Sequence, residues 1–225
     1  MSLLLTVLFA PLLALVAILV RITSDGPVIY KQVRTGLNGR PFEIYKIRTM
    51  YHDCERTTGP QWCKDNDPRV TPVGGFLRRS HLDELPQIWN VLKGEMSLVG
   101  PRPERPEFVT QLEKVFPRYL ERLQVRPGLT GLAQVNLPPD VDQESVGRKL
   151  IHDLFYIKNG TLVMEVKIFA ATGLFLVGVP FGTSVRLLGL YTCDDLLSRA
   201  QDKPEARALN NDPIELERFA PSRSL

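Results

Sequence analysis

The stretch Gly74-Gly75-Phe76-Leu77-Arg78-Arg79-Ser80-His81-Leu82-Asp83-Glu84-Leu85-Pro86-Gln87 holds the densest chemistry of this 225-residue chain. Leu82, Leu85, Ile88, Trp89 and Leu92 recur at helical spacing and predict a buried stripe. Ser80, with Asp83 three residues on, has the form of a helix N-cap. Pro86 stands too deep for a first-turn proline, so a kink is expected near Leu82. Asp83 and Glu84 then fall at a helix start, with Arg78 and Arg79 a few residues ahead. Adjacent carboxylates raise one another's pKa unless a cation lies between them. Helix starts also favour phosphate. Two acids, two arginines and a helix N-terminus suit a metal–phosphate site. Spacing alone leaves a capped surface helix with an ordinary ion pair as the simpler reading.

On the N-terminal side, Pro27 to Arg34 reads as a short strand, Gly36 to Pro41 as a turn, and Phe42 to Arg48 as the alternating return strand. This hairpin carries Lys and Arg on its polar face, which charge alone makes a solvated face. Tyr51 to Val73 is polar and rich in turn residues, and reads as a loop. His52, Cys54 and Cys63 lie there, but H-x-C-x8-C lacks a second close pair and a fourth zinc ligand.

On the C-terminal side, Ser97 to Glu107 holds three prolines, which makes a rigid loop that fixes Arg102 and Arg105. Preorganised arginines suit bidentate phosphate contact, and a structural corner is the plainer alternative. Phe108 to Leu123 reads as an amphipathic helix interrupted near Pro117. Val125 to Asn136, including Arg126, reads as a turn leading into a short strand. Glu144 to Asn159 is helical and carries His152, Asp153 and Tyr156. A lone histidine on such a helix is usually structural, so His152 receives no role.

Leu3 to Val20 is an 18-residue run broken only by Thr6 and Pro11. As a straight helix it is about 27 Å long, close to the ~30 Å hydrocarbon core. Apolar residues on every side favour lipid over a protein core. Pro11 removes a backbone hydrogen bond mid-run, which leaves both a span and a re-entrant hairpin open. The cations that follow, from Arg21 to Arg48, place its C-terminal end in the cytoplasm. Ile168 to Phe181 is a second apolar stretch, short for a span, and reads as an interfacial or a plain core helix.

The balance of 28 Lys and Arg against 25 Asp and Glu does not support nucleic-acid binding. Apolar residues at 44% exclude a wholly disordered chain, and three cysteines are too few for a disulfide framework. The last residues are polar without a clear period and read as a tail, compatible with disorder.

Four segments in order carry a resemblance: Tyr45-Lys46-Ile47-Arg48-Thr49-Met50, Leu82 to Gln87, Ser97-Leu98-Val99-Gly100-Pro101-Arg102-Pro103-Glu104, and Arg126-Pro127-Gly128-Leu129-Thr130-Gly131. With the N-terminal apolar run, they make the chain resemble the short form of the bacterial sugar transferases, the monotopic polyprenyl-phosphate phosphoglycosyl transferases. The resemblance covers roughly Leu3 to Pro180. It implies transfer of a sugar-1-phosphate from a nucleoside diphosphate sugar, usually a UDP-sugar, to undecaprenyl phosphate with release of UMP. Such a step initiates exopolysaccharide, O-antigen or glycan assembly.

By the same resemblance Asp83 is the nucleophile, forming a phosphosugar–aspartyl intermediate, and Glu84 joins it in holding Mg²⁺. Lys46, Arg48, Arg78, Arg102 and Arg126 are implied in phosphate or nucleotide contact, and Asp153 in assistance at the metal. The implied fold is mixed, helix-rich α/β: one compact cytosolic domain with a small β-hairpin, interfacial helices, and a re-entrant membrane helix broken at Pro11. The expected division is 1–22 anchor, 23–190 catalytic domain and 191–225 tail. Its expected place is the cytoplasmic face of the bacterial inner membrane, and a homodimer is compatible with the resemblance. Ala10 stands where the family has Ser before the proline, Leu132 where Trp is frequent, His81 where Ser is common, and Glu165 where Asp is usual. The first leaves the proline break of the hairpin in place, and the other three bear on sugar identity more than on reaction type. A non-catalytic scaffold of a polysaccharide assembly complex is the alternative, and the intact Asp83-Glu84 pair argues against it.

Overall fold

A computed structural model describes residues 2–56, 59, 67–138, 143–192 and 194–196, with the backbone alone described for 2–10 and 143. The apolar N-terminal run forms α1 (Ser2–Thr23), one helix that continues on both sides of Pro11 rather than two helices separated by a break. Val16 and Val20, one turn apart, face Ile47 and Leu77 in a small buried cluster. Leu15, Ile18 and Ile22 lie on the exposed side. Among the described residues, no helix is long and apolar enough to cross a membrane.

The expected hairpin is present. Strands β1 (Ile29–Thr35) and β2 (Pro41–Ile47) pair antiparallel from Ile29↔Ile47 to Thr35↔Pro41. A 3₁₀ turn at Leu37–Gly39 joins them, with Asn38 at φ 54°. Ile44 and Ile47, on opposite faces of β2, are both buried. Beyond it, a Met50↔Val70 bridge closes the polar excursion. Cys63 lies outside the described residues, with 57, 58, 60–62 and 64–66 of that loop.

Helix α2 (Pro72–Arg79) starts at a proline, and the Thr71 hydroxyl accepts a hydrogen bond from the Gly74 N–H at 2.9 Å. The Cβ of any larger residue at Gly74 would lie 2.0 Å from the Thr49 carbonyl oxygen, so only glycine lets α2 seat on the end of β2. Ser80 caps the C-terminus of α2 and is not the N-cap that its spacing suggests. A 3₁₀ turn follows at Leu82–Gln87 with Pro86 inside it, and α3 (Ile88–Leu92) continues from there. The tighter 3₁₀ winding rotates the expected apolar stripe. Ile88 is buried, whereas Trp89 is 53% and Leu92 38% exposed.

Strand β3 (Ser97–Val99) leads to α4 (Pro106–Val115), which stops before Pro117 as expected, and a 3₁₀ turn covers Tyr119–Gln124. Strand β4 (Gly128–Thr130) pairs parallel with β3, Ser97 opposite Gly128 and Val99 opposite Thr130. The chain then forms the short helix α5 (Leu132–Asn136), so the strand expected through Asn136 ends at Thr130. Helices α6 (Gln143–Asn159), α7 (Leu162–Leu176) and α8 (Phe181–Leu188) follow.

The apolar stretch from Ile168 is therefore divided between α7 and α8, with Gly178 at φ 94° in the corner. Met164, Ile168 and Ala171 bury one face of α7 against Leu132, Val135 and Tyr156. Leu162, Val163 and Val166 are more than 60% exposed on the other. Val109, Leu112, Phe116, Tyr119, Val146 and Leu150 form another cluster, between α4 and α6. The architecture is helix-rich mixed α/β with two small sheets. Residues 197–225, most of the expected tail, lie outside the described residues.

Candidate active site

Asp83 and Glu84 open the 3₁₀ turn, and both are buried, at 7% and 8% exposure. His81 sets the direction of this turn from a left-handed backbone, φ 54°, and its carbonyl accepts the Glu84 N–H at 3.2 Å. The two carboxylates meet opposite electrostatic surroundings. Lys46 Nζ donates to Glu84 Oε1 at 2.8 Å, and Arg102 donates to Oε2 at 3.1 Å and again to Oε1. Burial pushes Glu84 up, but Arg102 and Lys46 together hold it well below the usual range. Lys46 is pushed down by burial, with Glu84 opposing, while Glu84 raises Arg102.

No hydrogen bond or ion pair among the described residues engages the Asp83 carboxylate. Burial, and then the charge of Glu84, push Asp83 up to about 6 against the opposing pull of Lys46, Arg102 and Arg78. The dyad thus consists of one committed anion and one uncommitted acid that ionises near neutral pH.

Arg102 and Arg126 are placed by the parallel pair β3/β4. Gly100 N–H donates to Thr130 O at 2.9 Å, and Gly128 N–H donates to Pro101 O at 2.8 Å. A Cβ at Gly128 would lie 2.1 Å from Gly100 N, so the two arginine-bearing loops approach this closely only through glycine. Gly128→Ala is expected to cost at least about 2 kcal/mol, read by chemical denaturation, because the pair must separate. Arg126 is exposed and has no hydrogen bond or ion pair among the described residues. Its replacement by Ala should leave stability within about 0.5 kcal/mol.

Of the other expected residues, Arg78 lies near Asp83, while Arg48 and Asp153 take no part in the dyad's ion pairs. Arg78 Nε donates to the Thr49 hydroxyl at 2.8 Å, close enough to Asp83 to lower its pKa. Arg48 is 4% exposed and donates to the Ser24 carbonyl at 2.8 Å and its hydroxyl at 2.9 Å. It ties the exit of α1 to β2 rather than joining the dyad's ion pairs. Asp153, 2% exposed, is bound at 2.7 Å by Arg122, which also donates to the Tyr119 hydroxyl at 2.7 Å and the Arg102 carbonyl at 2.9 Å. Asp153 therefore supports the Arg102 loop from behind. His152 is fully buried, with Nδ1 2.9 Å from the Arg148 carbonyl.

Sequence reasoning missed Arg122. Its signal was an arginine one turn after Tyr119 within an otherwise amphipathic segment. Arg34, counted only among the hairpin's cations, donates to Glu104 at 3.1 Å and the Pro103 carbonyl at 3.0 Å, which fixes the same loop.

Among the described residues, no three His, Cys, Asp or Glu side chains gather into a metal cage. A carboxylate has about four lone-pair sites, of which Lys46 and Arg102 use three on Glu84. One on Glu84 Oε2 and all of those on Asp83 remain. That donor set fits Mg²⁺, which needs one or two carboxylates and takes its other ligands from water and substrate phosphates.

A model of a family described as bacterial sugar transferase matches residues 1–178. The UDP-N-acetylgalactosamine-undecaprenyl-phosphate N-acetylgalactosaminephosphotransferase of Aeromonas hydrophila is 46% identical over 165 residues, 73% of this chain and 39% of that protein. The UDP-glucose:undecaprenyl-phosphate glucose-1-phosphate transferase of Xanthomonas campestris pv. campestris is 43% identical over 171 residues, 75% of this chain and 35% of that protein. Exopolysaccharide production protein PSS of Rhizobium leguminosarum bv. phaseoli is 40% identical over 168 residues, 72% of this chain and 84% of that protein. The chain thus spans less than two fifths of the first two relatives' length. With nearly four fifths of its residues matched by the family model, and Asp83 and Glu84 set beside Lys46 and Arg102, the chain belongs to the bacterial sugar transferase family.

Proposed function

We propose that the chain transfers a sugar-1-phosphate from a UDP-sugar to undecaprenyl phosphate and releases UMP. The observation that carries this reading is the asymmetry of the dyad. Glu84 gives three of its about four lone-pair sites to Lys46 and Arg102, while Asp83 stands uncommitted beside them. The relatives' names, which specify UDP-sugars and undecaprenyl phosphate, support the substrate classes.

An Asp83 oxygen attacks the β-phosphorus of the donor. The bond from that phosphorus to the bridging oxygen breaks, and UMP leaves with the electron pair. The acyl phosphate so formed carries the sugar phosphate. A phosphate oxygen of undecaprenyl phosphate then attacks the same phosphorus and restores the Asp83 carboxylate. Both attacks bring anions together, so cations must offset the charge. Arg102 and Lys46 are fixed beside the dyad by Glu84, and Arg126 is free to meet the nucleotide phosphate. Mg²⁺, held by Asp83 and Glu84, would supply further charge neutralisation at the diphosphate.

The acceptor's lipid tail requires a membrane surface. The apolar run of α1 and the exposed apolar side chains Ile18, Ile22, Leu162, Val163 and Leu187 support attachment there. By the cations that follow α1, the catalytic domain lies on the cytoplasmic face of the inner membrane.

The test is UMP release by membrane-embedded protein given undecaprenyl phosphate, Mg²⁺ and a panel of UDP-sugars. The panel includes glucose and N-acetylgalactosamine, the two sugars in the relatives' names. Release with one donor, lost in EDTA, is expected. No release with any donor from folded, membrane-bound protein would favour the scaffold. Arg126→Ala should raise the donor KM about tenfold or more, with kcat changed less.

A further inference from the structure

We infer that His81 is a positioning residue for the carboxylate turn, held in place by Phe175 and Phe181 from the corner between α7 and α8. The His81 ring meets Phe175 edge-on, with centroids 5.3 Å apart and planes at 78°. Phe175 in turn stacks on Phe181, at 4.1 Å and 3°. Phe175 lies one residue before the end of α7, and Phe181 is the first residue of α8. The stack therefore closes the corner, and its outer edge is offered to His81.

His81 occupies a left-handed conformation that a residue with a side chain rarely adopts, so something must hold it there. The amide of His81 donates to Arg78 O at 3.2 Å and its carbonyl accepts the Glu84 N–H at the same distance, both at the long end of the ordinary range. No hydrogen bond from the imidazole caps the turn. The ring contact with Phe175 is what joins this backbone position to the helical layer. The contact acts on the exposed His81, two residues before Asp83 on the backbone that carries its carboxylate. Displacement on the order of 1 Å at a reacting group lowers a rate about a hundredfold.

Histidine at this position departs from the serine common in the resembling family, and a hydroxymethyl group could not reach Phe175 as a ring does. The inference rests on the transferase reading for its kinetic arm and on geometry alone for its exchange arm.

The kinetic arm measures UMP release by Phe175→Leu, Phe175→Tyr and His81→Gly beside the wild type. Phe175→Leu is expected to lose at least tenfold in kcat with donor KM within twofold. Phe175→Tyr, which keeps the aromatic edge, should recover most of the loss. Glycine accepts the left-handed conformation freely, so His81→Gly should melt no lower than the wild type and still turn over at least tenfold more slowly. A folded Phe175→Leu with wild-type kcat, or an equal loss in Phe175→Tyr, would overturn the inference.

The second arm follows amide hydrogen exchange in peptides spanning residues 81–87. Exchange of the Glu84 amide should quicken at least tenfold in Phe175→Leu. Unchanged exchange overturns the positioning role whatever the enzyme transfers. Quickened exchange in a protein that releases no UMP from any donor supports the aromatic contact and sinks the transferase reading alone.

Discussion

Asp83→Asn is expected to lower UMP release by at least about a thousandfold while leaving the fold intact or more stable. The amide cannot form an acyl phosphate with the donor, so the loss falls on kcat rather than on donor binding. The stability gain follows from the burial of the same group. Asp83 ionises near pH 6 in the folded chain, against an ordinary value of 3.8. A carboxyl whose folded pKa is raised contributes its stability below the unfolded value and loses it as pH rises through the folded one. Above pH 7 the wild type therefore carries a buried anion, only partly offset by Lys46, Arg102 and Arg78, that Asn lacks. The variant should gain on the order of 1–3 kcal/mol over the wild type at pH 8, and the difference should vanish near pH 3. Denaturant titrations at the two pH values read it. Bound Mg²⁺ draws the ionisation of Asp83 down, so turnover of the wild type should rise at a pH below about 6 and then level off.

Asp153→Ala is expected to destabilise the chain by about 3–5 kcal/mol, the largest stability loss expected of any single substitution here. Its side chain and that of Arg122 are 3% and 9% exposed, so removal of the acid leaves a guanidinium buried without its anion. Arg122 also carries the Arg102 carbonyl, and its release should loosen the cation that faces the dyad. Thermal melts of Asp153→Ala, Arg122→Met and the Asp153→Leu/Arg122→Met pair separate charge from packing. The pair should recover most of the stability, since two apolar residues leave no buried charge, but little of the turnover. A pair as unstable as Asp153→Ala would show that the site depends on shape rather than on charge.

Much of this arrangement is legible in the chain itself. The apolar–polar alternation of residues 42–48 marks a strand, and the Gly36–Pro41 turn before it sets where it pairs with β1. The end of α4 follows from Pro117, and α6 from its apolar period. The dyad and the arginines of the proline-rich loop can be picked out as residue types, but what each acid does is a matter of contacts between distant segments. Lys46, Glu84 and Arg102 come from three elements, and nothing in their spacing tells that Glu84 rather than Asp83 takes both cations. The turn around Asp83 was misread for a local reason. A Ser-x-x-Asp pattern fits a helix start, but Ser80 finishes α2, and His81 turns the chain before the 3₁₀ segment begins. Asp153 is legible by type but not by partner. Its place before Phe155 and Tyr156 matches an acidic position of the resembling family, yet it faces Arg122 in the interior, a partner that no local pattern announces.

The central claim is that Asp83 becomes covalently attached to the sugar phosphate. Intact-protein mass spectrometry after acid quench tests it most directly, with membrane-embedded protein, Mg²⁺ and the productive UDP-sugar but without undecaprenyl phosphate. A mass gain equal to the sugar phosphate less one water is predicted, located on the peptide that contains Asp83, discharged on addition of undecaprenyl phosphate and absent from Asp83→Asn. Full turnover with no adduct at any time point, or an adduct on another residue that survives Asp83→Asn, would contradict it.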